Sequence, residues 1–163
     1  MARTSVKELL NSKPQGQNVE VNGWVKTFRS NRFIALNDGS TINNIQCVVD
    51  FEKMDDGLIK SISTGAALKI SGVLVESQGR GQAVEIQTTH IFVHGAADAE
   101  TYPIQPKKHS FEFLREKAHL RVRTNTFSAV MRLRSALSYA VHTYFQQNGF
   151  YCFHAPIITG NRT

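Results

Sequence analysis

The chain has 163 residues, of which 41% are hydrophobic and 20% charged, enough for one good core and part of a second. No apolar run approaches the ~18–20 residues that cross a bilayer, and the opening MARTSVKELLNSKPQGQ lacks the apolar centre of a secretory leader. Cys47 and Cys152 stand far apart and outside any CxxC pair, so the expectation is two reduced thiols in a cytoplasmic protein, with neither a disulfide framework nor a zinc site.

The net charge of +6 is unevenly spread. Residues 1–100 carry 10 Lys+Arg against 11 Asp+Glu, whereas residues 101–163 carry 9 against 2. A polyanion such as RNA is a fitting partner for such a chain.

TSVKELLN predicts a short first helix: Ser5 and Glu8 have capping-box spacing, and Val6, Leu9 and Leu10 form an apolar face. Pro14 and Gly16 break it. Residues 19–93 then read as strands and turns. VEVNGWVKTFR alternates Val19, Val21, Gly23 and Val25 on one side with Trp24 opposite, and Gly23 in mid-strand suggests a bulge or bend. RFIALNDGS is a strand with an NDG hairpin signal, and INNIQCVVDF is the third strand. KMDDGLIKSIST is partly helical. AALKISGVLVES and AVEIQTTHIFVHG are two further strands, joined by the Gly-rich turn QGRGQ. The order strand, strand, strand, helix, strand, strand is that of a five-stranded OB-fold barrel, making the chain mainly β.

GAADAETYPIQPKKHS, with Pro103, Pro106 and the Lys107-Lys108 pair, reads as a linker. The aromatic and basic stretch FEFLREKAHLRVRTNT follows. A long helix comes next, capped by Thr124, Asn125 or Thr126. Phe127, Val130, Met131, Leu133, Leu137, Val141, Tyr144 and Phe145 recur in it at helical spacing, and Asn148-Gly149 ends it. A short aromatic strand closes the chain near Pro156.

Trp24, Phe28, Arg29, Arg32, Phe33, Asn37 and Gln46 are candidates for RNA contact. Barrels of this kind hold single strands by stacking bases on aromatic rings, each worth roughly 1–3 kcal/mol, and by reading base edges with polar side chains. Trp24 and Phe33 fit a core role as well. SQGRGQAVE is not a phosphate loop, because Val84 stands where a GxGxxG motif needs its last glycine. Glu85, between Val84 and Ile86, fits a solvent-facing position. The six histidines show no metal-ligand spacing; His90 and His94 on one strand face would sit about 13 Å apart. No metal site and no nucleophilic triad can be assembled.

VNGWVKTFRSNRFIALNDGSTINNIQCVV, GQAVEI and, most specifically, YPIQPKKHSFEFLREKAHLRVRTNTF resemble the bacterial asparaginyl-tRNA synthetases, class II enzymes related to the aspartyl and lysyl ones. The resemblance runs from about residue 5 to Thr159. It implies an anticodon-binding OB domain over residues 1–98, a linker over 99–109 and the start of a class II catalytic domain over 110–163. By that resemblance Phe33 stacks on the middle anticodon uridine and Gln46 hydrogen-bonds to it. Arg29 contacts base or backbone, Glu85 lies near the first anticodon base, and Gln82 is a further anticodon-binding candidate.

Residues 126–158 resemble the family's motif 1, a helix and strand at the homodimer interface, with Pro156 as its signature. Motifs 2 and 3, with the ATP and Mg²⁺ sites of the full-length enzymes, are absent from the 163 residues, and TGNRT departs from the family's usual acidic continuation. The resemblance therefore implies a chain that binds tRNA, has no catalytic residue or cofactor of its own and does not aminoacylate. The alternatives are a free-standing single-stranded nucleic-acid-binding module and a fragment of an aspartyl-type enzyme.

Overall fold

The computed structural model describes residues 4–154 except Phe51, Lys53 and Arg80. Helix α1 (Val6–Asn11) opens on a complete capping box, with the Ser5 hydroxyl accepting from the Glu8 N–H and the Glu8 carboxylate accepting from the Ser5 N–H. Five strands follow: β1 (Asn18–Arg29), β2 (Phe33–Asn37), β3 (Ile45–Val48), β4 (Ala67–Glu76) and β5 (Val84–Gly95), with α2 (Asp56–Ser61) between β3 and β4. They close in the order β1-β2-β3-β5-β4, and β4 pairs back onto β1. The β3–β5 pairing is parallel and the others antiparallel. Among the described residues, closure leaves no long unpaired edge.

Strand alternation fills the barrel. Val21, Ile34, Leu36, Ile45, Leu68, Ile70, Leu74 and Ile86 are fully buried inside it, and Val6 and Leu9 of α1 join the same cluster. Each such side chain contributes about 1.5–3 kcal/mol relative to exposure.

Helix α1 is pinned by residues 38–40, where the Val6 N–H donates to Asp38 Oδ2 at 3.0 Å and the Lys7 N–H to Ser40 Oγ at 3.0 Å. The NDG signal marks a longer connection than a tight hairpin. Gly39 has φ +83°, and the Asn37 amide spans the loop by donating to the carbonyls of Thr41 and Asn43. The tight turn of the barrel is instead Ser30-Asn31, both at positive φ, with the Arg32 N–H donating to the Arg29 carbonyl at 3.0 Å. This is the geometry of a hairpin turn that Gly or Asn normally supplies.

β1 carries its bulge between Val25 and Thr27, and not at Gly23. Gly23 serves close approach, since a Cβ there would lie 2.6 Å from the Asn37 carbonyl oxygen. The extra residue switches the facing of everything beyond it. Val19, Val21 and Val25 point inward before the bulge; after it, Phe28 packs against the core and Arg29 is exposed. Phe28 is therefore a core-packing residue, contrary to the surface role expected from simple alternation.

Past the barrel, the aromatic and basic stretch forms a short helix α3 (Phe111–Glu116), capped by Ser110, and a single 3-10 turn at Arg121–Arg123. Ile104 and Leu114 are buried here. Helix α4 (Asn125–Gln147) begins at Thr124, whose hydroxyl accepts from the Phe127 N–H, and ends at Asn148 before Gly149 at φ +84°. None of its described side chains is buried. The expected closing strand does not form over residues 151–154, because strand pairing needs a neighbour and none of the described residues supplies one there. Pro156 lies outside the described residues.

Candidate nucleic-acid interface

The register puts Arg29, Phe33, Gln46 and Glu85, from β1, β2, β3 and β5, on one outer patch. One row runs Arg29, Phe33, Val48, Gln87; the next runs Thr27, Ala35, Gln46, Glu85. The intervening residues Ile34, Cys47 and Ile86 point into the core, so the two rows necessarily face outward. Cys47, sealed in that core, has its thiol pKa pushed far up by burial.

Phe33 is half-buried and outside the core cluster. The Arg32 guanidinium lies 5.7 Å from the centre of its ring, a weak cation–π geometry that leaves a cation beside an aromatic face. Beside it, Arg29, Ala35, Gln46, Gln82 and the glycines of the β4–β5 turn line an open cleft of about 540 Å³. Three of the candidates, Arg29, Gln46 and Gln82, thus share one concavity.

Glu85 does not face solvent as its strand position suggested: it is 6% exposed. Its Oε2 accepts from Gln46 Nε2 at 3.1 Å and from Ser77 Oγ at 3.0 Å, and its Oε1 accepts from Gln87 Nε2 at 3.1 Å. A carboxylate withdrawn from water is tolerated only with such compensation. Ser77 and Gln87 were not among the expected residues. Period-2 alternation from Glu85 points to Gln87, whereas Ser77 lies just past the end of β4 and no strand pattern reaches it.

Trp24 and Asn37 belong elsewhere. The Arg123 guanidinium stacks 3.6 Å from the centre of the Trp24 ring, and Lys26 donates to the Arg123 carbonyl. Arg132 of α4 donates to the carbonyls of Gly39 and Ser40. Trp24 is therefore neither core nor an open stacking surface; it is the seat on which the segment before α4 docks. Burial pushes the Lys26 ammonium pKa down, and the neighbouring Arg123 charge adds to the effect. Burial likewise lowers that of Arg123 and raises that of the Tyr102 phenol beside it. The Asn37 amide is consumed by its own loop.

No helix among the described residues is long and apolar enough to cross a membrane. Residues 19–93 match the family model for the OB-fold nucleic acid binding domain. Over 98% of its length the chain is 54% identical to an asparagine–tRNA ligase of Parabacteroides distasonis, and over 99% it is 53% identical to that of Cytophaga hutchinsonii. By sequence, the chain is a homologue of asparaginyl-tRNA synthetases. It spans 35% and 36% of the length of these two relatives. An asparaginyl-tRNA synthetase from Entamoeba histolytica, solved with asparaginyl-adenylate, superposes with a TM-score of 0.80 at 22% identity, covering 98% of this chain and 39% of that one. That likeness extends the family's fold beyond the barrel, through α3 and α4.

Proposed function

We propose that the barrel binds the anticodon loop of a tRNA, and that these 163 residues serve as the tRNA-recognising portion of an asparagine–tRNA ligase without aminoacylating on their own. The observation that carries this reading is the outer patch: a half-buried aromatic ring, Phe33, beside a polar cleft shared by Arg29, Gln46 and Gln82. Phe33 supplies the stacking face, which any base accepts. Arg29 neutralises backbone or contacts a base, Gln46 reads a base edge, Glu85 acts beside it, and Gln82 borders the same cleft.

ATP and Mg²⁺ belong to the chemistry of the full-length relatives. Among the described residues no group of three or more His, Cys, Asp or Glu side chains converges into a metal site, so no step through a metal is assigned to them. The exposed stripe Leu133, Leu137, Val141 and Tyr144 on α4 supports a homodimer contact through this helix. The setting proposed is the cytoplasm.

The test is binding of a tRNA-Asn anticodon stem-loop. Phe33→Ala should weaken it by roughly 1–3 kcal/mol, with a steep dependence on salt. Equal binding by the variant removes Phe33 from the interface. Asparagine-dependent pyrophosphate exchange by these residues alone would overturn the absence of catalysis.

A further inference from the structure

A second concavity adjoins the candidate cleft, and cations dominate its wall. It holds about 860 Å³ between β1, the linker and the start of α4. Lys26, Lys107, Lys108 and Arg123 line it, and among the described residues Glu112 is the one acid on that lining. The Glu112 carboxylate lies 3.6 Å from Arg115. Among the described residues, no carboxylate pairs with any of the four lining cations. An exposed lysine run needs no partner, but Lys26 and Arg123 are half-buried. Lys26 donates to the Arg123 carbonyl, and Arg123 Nη1 is buried with no hydrogen-bond partner among the described residues. The Arg123 charge adds to the burial that disfavours the Lys26 ammonium. Like charges held together out of water cost free energy, and an anion brought by a partner offsets that cost.

Continuity with the candidate cleft decides which anion. Asn44 borders both concavities. Thr27, on the wall of the cationic one, belongs to the outer row Thr27, Ala35, Gln46. Lys26 stands three residues before Arg29 in β1, roughly 10 Å along a strand. A nucleic-acid strand that leaves the cleft across Thr27 and Asn44 therefore carries its phosphates toward the four cations.

We infer that Lys26, Lys107, Lys108 and Arg123 form a seat for the RNA phosphates flanking the anticodon, a second contact that adds affinity without reading sequence. The inference rests on the anticodon-binding reading. Backbone contacts fix position and carry no base information, so the cleft reads bases and the seat holds the strand. Lys107 and Lys108, both exposed, touch the phosphates; Lys26 and Arg123 supply a fixed positive field behind them.

The experiment uses the 163-residue chain and a tRNA-Asn anticodon stem-loop, with affinities measured from about 50 to 200 mM salt. Lys107→Ala with Lys108→Ala should reduce the slope of log affinity against log salt by about 1–2 and weaken binding about tenfold or more at the lowest salt. A stem-loop with a scrambled anticodon should lose the same factor. Lys107→Arg with Lys108→Arg keeps both charges and should keep the slope. Lys60→Ala with Lys69→Ala removes as much charge from residues that line neither concavity, and should change the slope by less than about 0.5. Phe33→Ala should weaken binding at an unchanged slope. Both linker lysines are exposed, so their substitution leaves the core intact. A wild type that binds no stem-loop defeats the anticodon reading itself. If the wild type binds and the Lys107 and Lys108 double variant keeps its slope, the seat alone is defeated, and the concavity belongs to another anion such as an acidic stretch of protein. An equal loss of slope in the Lys60 and Lys69 double variant also defeats the seat alone, since net charge would then explain the effect.

Discussion

The barrel and helix α4 treat apolar side chains in opposite ways. The barrel hides Ile34, Leu36, Ile45, Leu68, Ile70 and Ile86 completely, whereas α4 leaves Leu133, Leu137, Val141 and Tyr144 about half exposed or more. Both segments carry clear apolar periodicity, but a closed sheet supplies its own inner surface, while a single helix has to find its cover elsewhere. Apolar periodicity therefore marks a surface that requires a partner; it does not say whether the partner lies in the same domain.

If the barrel is self-sufficient, its interior should control stability by itself. The largest effects are expected at Gly72 and Leu68. A Cβ on Gly72 would lie 2.2 Å from the Gln87 carbonyl oxygen across the β4–β5 ladder, so Gly72→Ala must move backbone, at a cost of about 3 kcal/mol or more. Leu68→Ala should cost about 2–5 kcal/mol. Urea melts read both, and a loss under about 1 kcal/mol at either site would deny the barrel its role as the stability unit.

The joint between the regions comes next. Arg123→Ala removes the cation over Trp24, an interaction worth on the order of 1–2 kcal/mol when partly desolvated. It should expose the indole, seen as a red shift and quenching of Trp24 fluorescence, while the barrel's own unfolding midpoint moves little. Unchanged emission would mean that α4 and the segment before it do not dock on Trp24 in solution.

A smaller effect concerns Asp38. Burial works to raise its pKa, but hydrogen bonds from Ser40 and the Val6 N–H outweigh burial and hold it below the ordinary value. A depressed carboxyl stabilises the fold above its unfolded pKa, about 3.9, and that stability is lost as pH falls through the folded value. Asp38→Asn should cost less than about 1 kcal/mol near neutrality, since the site is only partly withdrawn from water, and should flatten the acid limb of the stability curve. A parallel acid limb in the variant would show that the α1 tether contributes nothing.

The smallest change in stability is expected on α4. Leu133→Ser with Leu137→Ser should shift the barrel's melting free energy by no more than about 0.5 kcal/mol, as for exposed sites, yet abolish any concentration-dependent association seen by sedimentation. A large loss of stability would mean that the helix packs on the barrel.

Much of this protein was legible as sequence. The alternation of Val19, Val21 and Val25, the capping box at Ser5 and Glu8, and the glycines of the β4–β5 turn determined the strands, the first helix and their order, because each is a local preference of a few neighbouring residues. The candidate surface was legible in part: Phe33 and Gln46 follow from alternation and the family likeness. Facing and company were settled by tertiary structure. A bulge between Val25 and Thr27 sent Phe28 inward and Arg29 outward. Strand pairing across the parallel β3–β5 ladder brought Glu85 to Gln46, residues 39 positions apart. Arg123, remote in sequence from Trp24, came to cover its ring. Bulges, register and long-range contacts depend on the partner strand or segment, and no stretch of chain contains its partner's position.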